Sequence, residues 1–264
     1  RAIQSCTSDD FIHWTRPVPH QYDPESPKEE FYTNATVPVP GAEHILLSFP
    51  MRYMRDRTTP ISDIRDMQYP GDGTPGMAGI TDAVMMSSRD GTHWKRSFLE
   101  AWLRPGLDDR NWTHRNNCPA IGILPLSRTE WTMYASEHYG WPDNRLRRLS
   151  LRPWGFASVH SGRKGGAVIT RPILFCGQEL RINFSTSAAG SVRVECRTAE
   201  GKPVPGLRLN DIQPLYGDQV DHPVPWAGST DISALARMPV RLHIEIIDAD
   251  IFSFRFAQRD EEQE

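Results

Sequence analysis

The chain has 264 residues, 38% of them hydrophobic, which is enough for a packed core in two domains or one large all-β domain. Its formal net charge of −3 gives no electrostatic case for nucleic acid or an anionic membrane surface. No apolar run reaches the roughly 18 residues that span a bilayer, and the scattered cysteines Cys6, Cys118, Cys176 and Cys196 form no CxxC pair, against a zinc site or a dense disulfide framework.

In chain order, the first segment already carries the best internal signal. Ser8-Asp9-Asp10-Phe11-Ile12-His13-Trp14 and Ser88-Arg89-Asp90-Gly91-Thr92-His93-Trp94 share S-x-D-x-x-H-W. The pattern predicts a hairpin turn in which Asp10 and Asp90 accept backbone N–H bonds, Gly91 supplies a positive φ, and the Trp packs between sheets. A degraded third copy is read at Arg152-Pro153-Trp154-Gly155-Phe156, with Phe156 in the Trp role. Repeated turns joining the outer two strands of four-stranded units mark propeller blades. Because Arg1 to Trp14 reads as the interior of such a unit, an N-terminal portion is expected to precede it. A periplasmic or secreted location is expected if that portion carries a signal peptide.

Taking the turns as strand 3 to strand 4 connections orders the rest. Residues 1–17 give the outer half of one blade. Residues 32–39, 44–52, 80–88 and 94–99 are the four strands of the next. Residues 116–124, 131–138, 145–151 and 156–160 form the last, about two and a half blades in all. The prolines and glycines, 22 and 19 of them, break the chain into short pieces in which apolar and polar residues alternate, as in Val192-Arg193-Val194-Glu195-Cys196. Residues 1–162 are thus read as propeller and 163–258 as a β-sandwich. One helix-like turn is expected over 230–237, the four cysteines are expected as buried free thiols, and 259–264 form a polar tail. Sequons occur at Asn34, Asn111 and Asn183.

The segments Ser8 to Trp14, Ile80 to Trp94, His138-Tyr139-Gly140, Leu146 to Leu149, Asn183 to Glu195 and Asp248 to Phe256 resemble the five-bladed propeller glycoside hydrolases of families 32 and 43, C-terminal part with trailing sandwich, and most of all their uncharacterised bacterial relatives. The resemblance implies a carbohydrate-active protein. The motifs that carry nucleophile and acid in the invertase-like members (WMNDPNG, RDP and WECP) do not occur here. No catalytic residue is therefore carried over from the family.

Propeller geometry gathers the starts of strands 1 and 3 and the ends of strand 2 at one rim. Those places hold Asn34, Arg52, Tyr53, Asp82, His114, Arg115, Asn116, Glu137 and His138, with Trp112 in an adjoining loop. Amides, guanidinium groups and carboxylates suit a polyhydroxylated ligand. Asp82 and Glu137 are the candidate acid/base pair for glycoside cleavage, which needs two carboxyl groups about 5–5.5 Å or about 6.5–9.5 Å apart. The alternative is that each carboxylate holds an arginine across a blade seam. Likewise Trp102, Trp112 and Trp141 either stack on sugar or anchor packing. The 53–79 connection, with charges Arg55, Asp56, Arg57, Asp63, Arg65 and Asp66, reads as a binding-loop wall or as a solvated insertion.

Two functions stay open: a glycoside hydrolase acting on poly- or oligosaccharide, and a non-catalytic glycan-binding or scaffold propeller protein. The expected partners are a saccharide and the preceding blades of the same protein, without nucleic acid or membrane. No cofactor is expected, and the resemblance leaves room for a structural calcium ion in the propeller channel.

Overall fold

The computed structural model describes residues 1–61, 65–68 and 79–259. The tip of the 53–79 connection (69–78), residues 62–64 and most of the polar tail (260–264) lie outside them. The chain is all-β: among the described residues the only helices are three 3-10 turns, at Asp109–Asn111, Leu209–Asp211 and Ser233–Leu235. The last of these occupies the expected helix-like turn. Two compact units follow one another, Arg1–Leu151 and Arg152–Glu264.

The first unit contains β1 (Gln4–Ser5), β2 (Val18–Pro19), β3 (Gln21–Tyr22), β4 (Glu30–Tyr32), β5 (Val37–Val39), β6 (Ala42–Ser48), β7 (Met51–Met54), β8 (Ile80–Ala83), β9 (Met86–Ser88) and β10 (His93–Lys95). They are followed by β11 (Cys118–Pro119), β12 (Leu124–Pro125), β13 (Trp131–Glu137) and β14 (Arg145–Leu151). One sheet has the order β3-β10-β9-β6-β5, a second β4-β7-β8. Apart from β3, which pairs with β10 in parallel, the strands of the two sheets are continuations of one antiparallel meander, interrupted where the chain bends. The bend between β6 and β7 falls at Phe49-Pro50, where proline removes a ladder donor. There Phe49 N–H and the Ser48 hydroxyl both donate to Asn34 O, and Val84 N–H donates to Pro50 O. Ile3, Phe31, Val84, Met86 and Trp94 form the core beneath, with Tyr22 and Leu46 against it.

The two repeated turns carry the same hydrogen bonds. Asp10 Oδ1 accepts from the N–H groups of Ile12 and His13, at 2.8 and 2.8 Å. Asp90 Oδ1 accepts from Thr92 and His93, at 2.8 and 2.7 Å. In each the histidine Nδ1 lies against the second carboxylate oxygen, and the Trp indole N–H donates to the residue three before it. Gly91 takes φ 75°, and Phe11 takes 59° at the equivalent place. The expectation for the Trp divides: Trp94 is 2% exposed, stacked on His20, whereas Trp14 is 52% exposed. The third copy differs, since Arg152 to Gly155 turns through a Gly155 N–H to Arg152 O bond with no carboxylate in it.

In the last sheet β11 and β12 both pair with β13, and β14 pairs with its other edge. Trp131, Met133 and Ala135 alternate inward with Tyr134 outward. The expected fourth strand over 156–160 does not join β14. Instead β15 (Val159–Ser161) pairs with a strand of the second unit. The cause is Arg152, whose guanidinium donates to Asn183 Oδ1, Phe184 O, Gln219 O and Asp218, so the chain leaves the β13–β14 sheet directly after Leu151. The first unit therefore ends at 151, before the 162 boundary read from the sequence.

The second unit adds β16 (Gly166–Ile169), β17 (Glu179–Thr198), β18 (Asp218–Pro223) and β19 (Val240–Ala257). Where a two-sheet sandwich was expected, these strands form one curled five-stranded sheet around β17 and β19. Both long strands bend at the same place. β17 shifts register between Thr186 and Ser191, and Asp248 of β19 sits at φ 47°. Gly190 is required at this bend, because a Cβ there would run into the carbonyl oxygens of Ile247 and Asp248. Leu180, Ile182, Phe184, Val192, Val194 and Trp226 lie in the single core so enclosed.

Of the four cysteines, expected as buried free thiols, all are free but only Cys196 is buried; Cys6 and Cys176 are exposed and Cys118 is intermediate. Burial pushes the Cys196 thiol up to about 12.

Candidate functional site

The rim residues separate into clusters. In the first, Arg52 and Asp82 are directly opposed across β7 and β8. Arg52 Nε and Nη2 donate to Asp82 Oδ1 and Oδ2, at 2.9 and 2.6 Å, and Nη1 donates to Glu29 and to Leu99 O. Glu29 also pairs with the buried Arg96. Two carboxylates and two guanidinium groups thus tie these strands together, and Asp82 is spent on Arg52. Tyr53 belongs beside this clamp, its ring 6.3 Å from Tyr32 with Arg1 at 4.0 Å over it. Asn34 stands apart, its carbonyl used at the β6 bend.

The second cluster is built where the loop 105–117 meets the β13–β14 hairpin. Glu137 ends β13, and its side chain is 7% exposed. Arg145 faces it in register on β14, and Arg147 shares that strand face two residues on. Arg145 Nε lies 3.0 Å from Glu137 Oε2 and Arg147 Nη1 lies 2.9 Å from Oε1. Asn111 Nδ2 adds a longer contact of 3.4 Å. Burial opposes the charge of Glu137, but Arg147 and Arg145 together hold its carboxyl below the usual range. Glu137 is therefore an anion near neutral pH rather than a stored proton.

The turn after β13 places a histidine behind the same cleft. His138 takes φ 57° and is buried. Its Nε2 lies 2.7 Å from Asp108 Oδ2 and its Nδ1 2.8 Å from Asp143 Oδ2. Asp108 caps the 3-10 turn by accepting Arg110 N–H, and lies 3.4 Å from Arg145 Nη2. For Asp108 burial again opposes charge, and the bonds from His138 and Arg110 N–H outweigh it. Around these groups opens a cleft of about 420 Å³, lined by Pro105, Gly106, Leu107, Asp108, Asn111, Glu137, Arg145, Leu146 and Arg147.

Asn116 supports the cleft from beneath: its Oδ1 accepts Tyr139 N–H, and its carbonyl accepts the Thr81 hydroxyl. Arg115 donates to Tyr139 Oη at 2.6 Å, and the His114 ring stands edge-on to Tyr139. Trp112 Nε1 donates to Gly106 O, which fixes the cleft loop, so its indole is a packing anchor there. Trp102 packs on Phe49, and Trp141 is buried beneath Arg110. Thus Trp112, His114, Arg115, Asn116, Glu137 and His138 belong to one neighbourhood. The partners of Asp82 and those of Glu137 have no residue in common.

No family model, curated protein or solved structure matches this chain.

The cleft includes residues the sequence reading did not select, Asp108, Asn111, Arg145 and Arg147, and Asp143 stands outside it against His138. A signal for two of them was present. Arg145 and Arg147 alternate on a strand predicted to follow Glu137 through a short turn, which places them opposite it. Asn111 and Asn183 of the sequons are both buried, and their amides donate to Pro105 O and Pro153 O. Among the described residues no group of three His, Cys, Asp or Glu side chains is placed to hold a metal ion.

Proposed function

We propose that this chain binds a poly- or oligosaccharide in the Glu137 cleft, as a non-catalytic subsite on the C-terminal blades of a propeller related to the family 32 and 43 glycoside hydrolases, followed in the chain by a sandwich-like module. The single observation that carries this reading is the buried Glu137 carboxylate fixing Arg145 and Arg147 along an open cleft. Pinned guanidinium groups present planar donor arrays to sugar hydroxyls, Asp108 supplies an acceptor, and the exposed Leu107 and Leu146 offer apolar surface to a pyranose face. A carboxyl group held in its anionic form by two arginines is poorly suited to deliver a proton to a leaving group. Asp82 is engaged in the same way by Arg52.

Hydrolysis is the second reading, and one observation favours it: Asp108 and Glu137 line the same cleft and share Arg145. Calorimetric titration against a panel of soluble polysaccharides, run beside a reducing-end assay, separates the two. Binding is expected without release of reducing ends, and Arg147→Ala is expected to weaken it about tenfold, the loss of one charge-assisted contact. Absence of binding to every member overturns the proposal. Reducing-end release that disappears in both Asp108→Asn and Glu137→Gln replaces it with hydrolysis.

A further inference from the structure

His138 holds both polar walls of the cleft without lining it. Its backbone N–H donates to Asn111 Oδ1 at 3.2 Å, and its ring reaches Asp108. The ring is 4% exposed, and each nitrogen faces a carboxylate oxygen: Asp108 from the loop before the 3-10 turn, Asp143 from the loop after β13. Behind them stand Arg110, 2.8 Å from Asp143, and Arg145 of β14 against Asp108, with Glu137 the preceding residue in the chain. A carboxylate accepts and does not donate, so only the doubly protonated ring satisfies both contacts. A singly protonated ring turns a lone pair towards one carboxylate and gives up that bond.

We propose that His138 is a proton-dependent positioning residue for the cleft: its Nε2–H pins Asp108 to the β13–β14 hairpin while its Nδ1–H holds Asp143, and loss of one proton leaves a single N–H for two carboxylates, so that the tautomer bonded to Asp143 frees the loop 105–111 and weakens ligand binding. The reading of a saccharide cleft underlies the ligand part of this proposal, whereas the loop part stands on the ligand-free protein. Asp143 lies outside the cleft and is the informative position. In Asp143→Asn the new amide donates to Nδ1 of a neutral ring, Nε2–H stays on Asp108, and the tether survives deprotonation.

The test is hydrogen exchange of the Arg110, Asn111 and Trp112 amides, which donate to Asp108 Oδ1, Asp108 O and Asp109 O. Protection factors, corrected for intrinsic exchange, are followed across the titration of the His138 ring signal in NMR. Wild type is expected to lose protection about fivefold as the ring is deprotonated, in line with one hydrogen bond. Asp143→Asn is expected to hold its protection constant, and His138→Gln to show low protection at every pH. Wild-type protection that stays level through the ring titration, or an equal fall in Asp143→Asn, overturns the proposal. If no saccharide binds, the functional reading above fails, and the exchange profile still decides this one. If one binds, its affinity is expected to fall in step with protection in wild type and to stay level in Asp143→Asn.

Discussion

Arg145 and Arg147 stand two residues apart on one strand, so both meet Glu137 on the same sheet face while Arg148 turns away to Glu130. Glu137→Gln keeps the shape of the side chain and removes the charge. The two guanidinium groups are more than half exposed and regain water, which limits the loss. The expected cost is about 1–2 kcal/mol in urea unfolding; no measurable change would mean that Glu137 is not the anchor described. The same logic sets an acid limit. Glu137, Glu195 and Asp221 all titrate below their ordinary values because of arginine partners that outweigh burial. A depressed carboxylate takes its proton in the unfolded state first, so its stabilisation is complete above the ordinary value and shrinks as pH falls through the folded one. Stability is therefore expected to decline below about pH 4.5, the ordinary glutamate value, and guanidinium replacement at Arg147 or Arg255 by Ala should flatten that decline. Much of this residue-level picture was legible in advance. The alternative reading had Asp82 and Glu137 each holding an arginine across a blade seam; the arginines they hold stand instead on the neighbouring strand of the same sheet. Asp108 and Asn111 were not legible, because they reach Glu137 and His138 only through the folding of an irregular loop 26 or more positions away.

The repeated turn is the element that the sequence announces most clearly, because each of its hydrogen bonds is local: Ser, Asp, His and Trp all act within seven residues. The packing of its Trp is not local. Trp94 has His20, Phe31 and Met86 around it, brought from 8 to 74 positions away, and among the described residues Trp14 has only Phe11 in ring contact. Identical turns therefore carry unequal energetic weight. Trp94→Ala is expected to cost about 3–5 kcal/mol, as for a large buried aromatic, and Trp14→Ala less than about 1 kcal/mol. Chemical denaturation of the two variants checks this. Equal costs would show that Trp14 is as well covered as Trp94. Strand positions were readable from period-2 alternation, within a few residues, for the meander and for β13 and β14. Two things were hidden. The bend at Phe49-Pro50 divides one expected strand into β6 and β7, and the coincident bends of β17 and β19 let one sheet enclose a core alone.

At the scale of the molecule, the core of the second unit, among the described residues, is drawn from residues 168–256. A core closed within one stretch of chain predicts independent folding. Its boundary is argued by Arg152, whose four acceptors all lie in the second unit, and by β15, which extends the sheet along β19. A fragment 152–264 is therefore expected to unfold cooperatively in urea and to give a dispersed amide spectrum. A fragment 163–264, cut where turn-rich composition alone places the junction, loses β15 and leaves Asn183, 2% exposed, without its Arg152 and Pro153 partners. Buried polar groups left without partners cost about 1–3 kcal/mol each. The shorter fragment should accordingly be less stable by at least about 3 kcal/mol, or fail to fold. Equal stability of the two fragments would return the junction to 162/163 and reduce β15 to an incidental strand.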